Sequence, residues 1–419
     1  MRFISFKSTF LLSFFLVISC IGQNKQKKEA TISTIEEVID TIPKEIKIGA
    51  NKTNTYLPLL KGKKVGVVAN QTSVIFKDEV RNTKLENSYI HLVDSLLSLK
   101  VDIQKVFAPE HGFRGEADAG EEVADGKDKK TGIPIISLYG KNKKPSKEQL
   151  EGLDILVFDI QDVGVRFYTY ISTLHYVMEA CAENNIELIV LDRPNPNGSY
   201  IDGPTMEPEN TSFLGMHTIP LVHGMTIGEY ATMINGEKWL KDSTQCSLKI
   251  IEMDNYAHDL PYSLPIRPSP NLPNDQSIKL YPSLGLFEGT NINAGRGTEF
   301  QFQQYGAPFL DKNIFTFSYT PIANFGAKYP KHQDELCFGE NLREITPTKE
   351  VTLKWLIKAY NNSTDKSLFF NKDSFIKHSG TQKLQQQIEA GLSEQEIKET
   401  WKDGIENYKE TRKKYLIYK

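Results

Sequence analysis

Four short apolar runs constrain this chain more than any other feature: Val65 to Ala69, Val101 to Ala108, Asp154 to Ile160 and Ile186 to Leu191. Near-continuous apolar strands of this kind are buried on both faces, and stretches of helical spacing separate them. Tyr89, Ile90, Val93, Leu96 and Leu97 recur at helical intervals after the first run. Ser146 to Leu150 reads as a short capped helix with Glu148 in its first turn, and Thr173 to Glu183 is helical after the third run. A shorter run at Ile133 to Leu138, a helix at Ile227 to Ile234 and a strand-like stretch at Leu248 to Met253 extend the pattern. This alternation predicts an α/β fold, a Rossmann-like parallel sheet covered on both faces.

Each main run ends in polar residues. Asn70, Gln71 and Thr72 follow the first. The second feeds VFAPEHGFRG, where Pro109 has no amide proton for a sheet and Gly112 permits a turn, so Glu110, His111 and Arg114 are presented at an edge. Gln161, Asp162, Arg166, Tyr168 and Tyr170 follow the third run, and Asp192, Arg193, Asn195 and Asn197 the fourth. Ligands of open α/β sheets bind beyond the carboxyl ends of the strands, where sequence order places all four clusters. A turn of solvated charges is the competing reading of the decapeptide alone.

From Tyr262 onward the sequence becomes dense in Pro, Gly and Asn, which predicts a domain boundary near Asp259. The catalytic body is thus expected over 49–259, with a smaller α+β C-terminal domain over 260–419 closing the cleft. Long loops inside compact proteins are usually functional, so Glu288, Asn291, Arg296 and Glu299 are expected to face the crevice from that side. Leu384, Ile388, Leu392 and Ile397 give the charged helical tail one packing face.

Residues 1–20 read as an export signal: Arg2 and Lys7 precede an apolar run, Phe10 to Ile18, too short to span a bilayer. Val17-Ile18-Ser19-Cys20 resembles the lipobox of bacterial lipoproteins, which implies lipidation at Cys20 and a membrane anchor in the bacterial envelope, periplasm-facing or at the surface. A plain secretory signal is the alternative, and either exports the protein. Residues 21–48 read as a flexible tether, and the acidic, then lysine-rich, 116–131 as a surface loop.

A net charge of -3 leaves no basic excess to neutralise a phosphate backbone, so nucleic acid is not an expected partner. Neither GxGxxG nor GxxxxGK[ST] follows a strand, and no cofactor is expected. The eight histidines are scattered without HExxH, and Cys181, Cys246 and Cys337 lack paired spacing, so neither a metal site nor a disulfide framework is expected. A serine hydrolase lacks its GxSxG elbow.

Carboxylates are better supplied. Glycoside hydrolysis needs a protonated acid at the leaving oxygen, plus a second carboxylate or the substrate's own acetamido group at the oxocarbenium-like centre. Glu110, beside His111 and near Phe107 and Phe113, suits the acid; Asp159 and Asp162 suit the orienting role, with a buried structural carboxylate as the alternative for Asp159. Phe167, Tyr168 and Tyr170 form a sugar-stacking wall or part of the core. His223 lies in a loop of the same half.

The runs PEHGFRG (Pro109 to Gly115), DIQDVGVRFYTYI (Asp159 to Ile171), LDRPNPNG (Leu191 to Gly198), HGMTIGE (His223 to Glu229), PSPNLP (Pro268 to Pro273) and EGTNINAGRGTEF (Glu288 to Phe300) resemble the exo-β-N-acetylmuramidase family typified by NamZ, the YbbC-like proteins of glycoside hydrolase family 171. The resemblance spans about Gly49 to the C-terminus. It implies a site between a Rossmann-like domain and a smaller one, and release of terminal N-acetylmuramic acid from the non-reducing end of peptidoglycan fragments. It also implies that Glu110, the glutamate of PEHG, is the catalytic acid, here with His111 and Asp162 assisting. Asn70, Arg114, Gln161, Arg166, Tyr168, Arg193, Asn195, His223, Glu288, Asn291 and Arg296 complete the expected substrate-binding set. The lactyl ether of that sugar carries a carboxylate, for which Arg166, Arg193 and Arg296 are the candidate partners. Phe300 to Phe302 replaces the small residue or proline common after the GRGTE or GRGTT motif in the family.

Overall fold

The four runs become neighbouring strands of one sheet in the computed structural model, which describes residues 45–77, 88–115 and 125–419. The export signal, Cys20, nearly all of the tether and 116–124 of the expected loop lie outside the described residues. Ile46–Lys419 form one compact unit.

In chain order the body contains helix α1 (Thr53–Leu60), β1 (Lys64–Ala69), β2 (Val74–Phe76), β3 (Tyr89–His91), α2 (Leu92–Ser98), β4 (Asp102–Ala108), β5 (Gly126–Lys127), β6 (Pro134–Ser137), α3 (Lys147–Leu150), β7 (Ile155–Asp159), α4 (Tyr170–Asn184), β8 (Glu187–Leu191), α5 (Ile227–Gly236) and β9 (Leu248–Ile251). The seven-stranded sheet runs β5-β6-β4-β1-β7-β8-β9, parallel except for the edge pair β5 with β6. Setting β5 aside, this is the doubly wound order, in which the chain leaves β1 toward β4 and β6, then returns to its other side with β7. The switch point therefore lies between β1 and β7, with the end of β4 next to it. Both faces are covered as continuous apolar strands require: Val65, Val67, Val157 and Ile189 pack in one layer, Val68, Phe107, Phe158 and Val190 in the other.

Beyond Asp259 follow α6 (Asp275–Leu284), β10 (Gln304–Ala307), β11 (Phe317–Tyr319), β12 (Cys337–Asn341), α7 (Lys354–Asn361), α8 (Lys372–Ser379), α9 (Lys383–Glu389), α10 (Glu394–Glu399) and α11 (Lys402–Lys413). The three strands form an antiparallel sheet, β10-β12-β11. This segment shares its core with the body: Leu280, Phe302, Phe375 and Leu384 belong to the cluster that holds Phe158, Leu174 and Met178. Cys181, Cys246 and Cys337 are buried free thiols.

Arg166 ties the two parts together. Its side chain is fully buried, with Nη1 donating to the carbonyls of Pro204 and Ile219 at 2.7 and 2.8 Å and Nη2 to those of His378 and Ser379 at 3.0 and 2.7 Å. Burial pushes its pKa down to about 9, which leaves it charged at neutral pH and makes the four carbonyls its counter-dipoles.

Candidate active site

Glu110 stands at the end of β4, on a turn locked from both sides. Pro109 ends the strand, and His111 and Gly112 take left-handed backbone angles in succession, with φ of 70° and 75°. That double bend sends Phe113 inward, edge-on to His91 with ring centroids 4.9 Å apart. Arg114 then grips Asp128 through Nε and Nη2, both at 2.8 Å, and reaches Asp94 at 3.1 Å. Hydrogen bonding from Arg114 holds the Asp128 carboxyl well below the usual range, so this fork stays closed at any working pH. Glu110 is left partly exposed between two anchored flanks.

Three hydroxyl groups surround it. Thr169, immediately before α4, donates from Oγ1 to Oε2 of Glu110 at 2.9 Å. Tyr139, just past β6, hydrogen-bonds the same side chain; burial and the Glu110 charge raise its phenol well above its ordinary value, so it remains a donor. The Tyr170 hydroxyl accepts from Asn70 Nδ2 at 2.9 Å and lies 3.4 Å from the Glu110 carbonyl. Asn70 is buried, and through Tyr170 it braces the backbone of Glu110.

The opposite wall comes from the C-terminal segment. Glu288 and Arg296 pair with Nε–Oε1 and Nη2–Oε2 distances of 3.1 Å each, and both side chains keep about a fifth of their surface exposed, at 23% and 22%. The charges of Glu110 and Glu288 both act on Arg296 and on Tyr281, so the two acidic side chains share an electrostatic neighbourhood. Burial raises Glu288, but Arg296 and Lys331 outweigh it and hold the pKa at about 2. Lys331 is fixed by donating to the carbonyls of Phe287, Glu288 and Thr290 at 3.0, 3.1 and 2.6 Å. Tyr281 joins Tyr168 and Phe167 edge-on at 6.1 and 5.1 Å, and Tyr168 meets Tyr170 at 4.8 Å. Phe302 of the divergent FQF lies 4.8 Å from Tyr281 and beneath the Arg296 guanidinium at 5.3 Å, so it supports the wall from inside, while Phe300 packs under Arg343 at 4.1 Å.

Several expected binding residues do other work. Arg193 forms a buried fork with Asp159 at 2.6 and 2.8 Å and also donates to the Val74 carbonyl at 3.0 Å. That makes Asp159 the structural carboxylate of the two alternatives. Arg166 is enclosed as described and Arg193 is buried in its fork, whereas Arg114 is held by Asp128 and Asp94 but keeps 27% of its side chain exposed. Gln161 donates to the carbonyls of Asp162 and Pro194, and Asn195 to that of Met225, each within a buried loop. Asn291 is exposed and bonds the Leu368 carbonyl. His111 is buried at 4% exposure, inside the turn.

Asp162 is also enclosed, at 3% exposure. Oδ2 accepts from the Gly164 amide at 2.7 Å and lies 3.3 Å from His223 Nε2, while His223 Nδ1 accepts from the Met225 amide at 3.2 Å. Its charge still acts on Tyr168, Tyr170 and Tyr281.

Thr169, Tyr139 and Tyr281 are absent from the sequence-based set. Tyr139 follows the short run at Ile133 to Leu138, so reading that strand end as the others were read would have found it. Thr169 sits between two tyrosines already singled out; Tyr281, inside a helix, carries no sequence signal. Among the described residues no group of three or more His, Cys, Asp or Glu side chains is arranged to hold a metal ion.

A partly exposed carboxyl held by hydroxyls and a second kept ionised by a guanidinium, both backed by buried aromatic rings, suit the chemistry of a glycoside hydrolase. Residues 65–276 match the N-terminal family model of exo-β-N-acetylmuramidase NamZ, and residues 279–418 match the C-terminal one. The chain belongs to the NamZ family. It is 40% identical over 381 residues to the peptidoglycan β-N-acetylmuramidase NamZ of Bacillus subtilis (strain 168), covering 87% of this chain and 89% of that one. Crystal structures of two DUF1343 family proteins from Bacteroides fragilis NCTC 9343 share the fold: one at TM-score 0.80 and 42% identity, covering 90% of this chain and 99% of its own. The other has TM-score 0.72 and 28% identity, covering 89% and 99%.

Proposed function

We propose that this protein is an exo-acting glycosidase that releases terminal β-linked N-acetylmuramic acid from the non-reducing end of peptidoglycan fragments, with Glu110 as general acid/base. The observation that carries the assignment of roles is the unlike setting of the two crevice carboxyls. Glu288 is committed to its ion pair with Arg296, which with Lys331 holds its pKa at about 2. Glu110, partly exposed at the end of β4 with the Thr169 hydroxyl on its Oε2, is the carboxyl assigned to the leaving oxygen. As the glycosidic bond breaks, its electron pair goes to that oxygen together with the proton from Glu110. The substrate's acetamido oxygen supports the anomeric centre until water, deprotonated by the Glu110 carboxylate, completes hydrolysis.

Of the three arginines weighed for the lactyl carboxylate, Arg296 is the one that faces the crevice. Its bonds to Glu288 use Nε and Nη2, so Nη1 remains for a ligand, and Lys331 keeps the local charge positive beside an ionised Glu288. Paired assays on a chromogenic N-acetylmuramide and the matching N-acetylglucosaminide test this reading. The muramide is expected to be the better substrate, and turnover of the glucosaminide alone would remove the assigned sugar. Arg296→Met is expected to lower kcat/KM on the muramide about 10- to 100-fold, the worth of one charge-assisted hydrogen bond, and to erode the preference over the glucosaminide.

We further infer export and lipid anchoring at Cys20, supported by the charged, apolar and Ser-Cys order of the first twenty residues. Cell fractionation of Cys20→Ala is expected to move the protein from membrane to soluble fractions. Unchanged partition would remove the anchor.

A further inference from the structure

A general acid must be aimed as well as ionisable, and the turn around Glu110 fixes only its backbone. Two hydroxyls fix the rest. We propose that Thr169 and Tyr139 are positioning residues that hold the Glu110 carboxyl toward the scissile oxygen; this rests on the reading of Glu110 as the acid/base.

The local geometry at Thr169 carries the argument. Thr169 has helical backbone angles, φ -69° and ψ 0°, which turn its hydroxyl away from the first-turn amides, and Oγ1 donates to Oε2 of Glu110 at 2.9 Å. Tyr139 arrives from the strand on the other side of β4, so contacts from α4 and from the end of β6 bracket one carboxyl. A glutamate side chain has three torsions to fix, and a shift of about 1 Å in a reacting group costs roughly 10²-fold in rate.

The type of group matters as much as its place. A lysine or arginine at either position would favour the ionised carboxyl alone. A hydroxyl donates to a carboxylate and, after rotating, accepts from a carboxylic acid, so it keeps the same contact in both protonation states. An acid that becomes a base within one catalytic cycle needs that symmetry.

The test uses Thr169→Val, which removes the hydroxyl at nearly constant shape, Thr169→Ser, which keeps it, and Tyr139→Phe. On a disaccharide with a sugar leaving group, kcat is expected to fall about 10- to 100-fold in the Val and Phe variants, with KM changed less than about threefold and the Ser variant close to the parent. On an aryl glycoside whose phenol leaves without protonation, kcat/KM, which reports the bond-breaking step alone, is expected to stay within about threefold of the parent in all three. There kcat falls in the Val and Phe variants through the base-assisted second step, an outcome that general damage to the fold would not give. Full disaccharide activity in Thr169→Val and Tyr139→Phe, with Glu110→Gln inactive, would overturn this proposal and leave the role of Glu110 standing. Full activity in Glu110→Gln would overturn the underlying reading instead. Should Thr169→Val not fold, Tyr139→Phe, at a partly exposed position, decides the matter alone.

Discussion

Glu110→Gln is expected to slow hydrolysis of a muramyl disaccharide by about 10²- to 10⁴-fold, the range of a lost general acid, with an unchanged melting curve. Gln keeps the length and an oxygen that accepts from Thr169 Oγ1, so the turn between Pro109 and Arg114 has no reason to reorganise. What it lacks is an acidic proton to give. The loss should therefore depend on the leaving group: a sugar alkoxide needs protonation and suffers the full effect, whereas an activated phenolate needs little and should react far better. Equal losses on both substrates would point to a damaged crevice. No loss on either would move the acid elsewhere.

The second large effect is on stability and comes from a buried ion pair. Arg193 and Asp159 form a bidentate pair under the switch point, with side chains 4% and 0% exposed. Removing one partner leaves the other charge buried and unpaired, which typically costs about 3–5 kcal/mol. Arg193→Met is expected to lower the urea midpoint accordingly at constant slope. A double replacement, Asp159→Leu with Arg193→Met, should recover part of that loss, because neither buried charge then remains. A single variant as stable as the parent would show that the pair contributes little.

That arginine illustrates where sequence and structure part. The sheet was legible because strands buried on both faces are written as unbroken apolar runs, and Val65–Ala69 or Ile186–Leu191 admits few other fates. The crevice was legible in position, since the polar clusters follow the strands and the doubly wound order brings their ends together. The division of labour among polar residues was not. Arg166, Arg193 and Arg296 look alike in sequence, yet one is enclosed by carbonyls, one by a buried carboxylate, and one pairs with a partly exposed glutamate. Asp162 sits two residues before a glycine whose amide it caps, a local bond that no spacing rule distinguishes from a catalytic placement. Tyr281 and Phe302 enter the wall through tertiary packing of the C-terminal segment on the body, and nothing in their immediate sequence encodes it.

The most direct measurement is mass analysis of the products formed from a defined disaccharide with N-acetylmuramic acid at its non-reducing end β-linked to N-acetylglucosamine. Free N-acetylmuramic acid and N-acetylglucosamine, appearing in equal amounts and absent with Glu110→Gln, are the predicted result. Disaccharide that stays intact while bound, or a product in which the glycosidic bond survives, would contradict it.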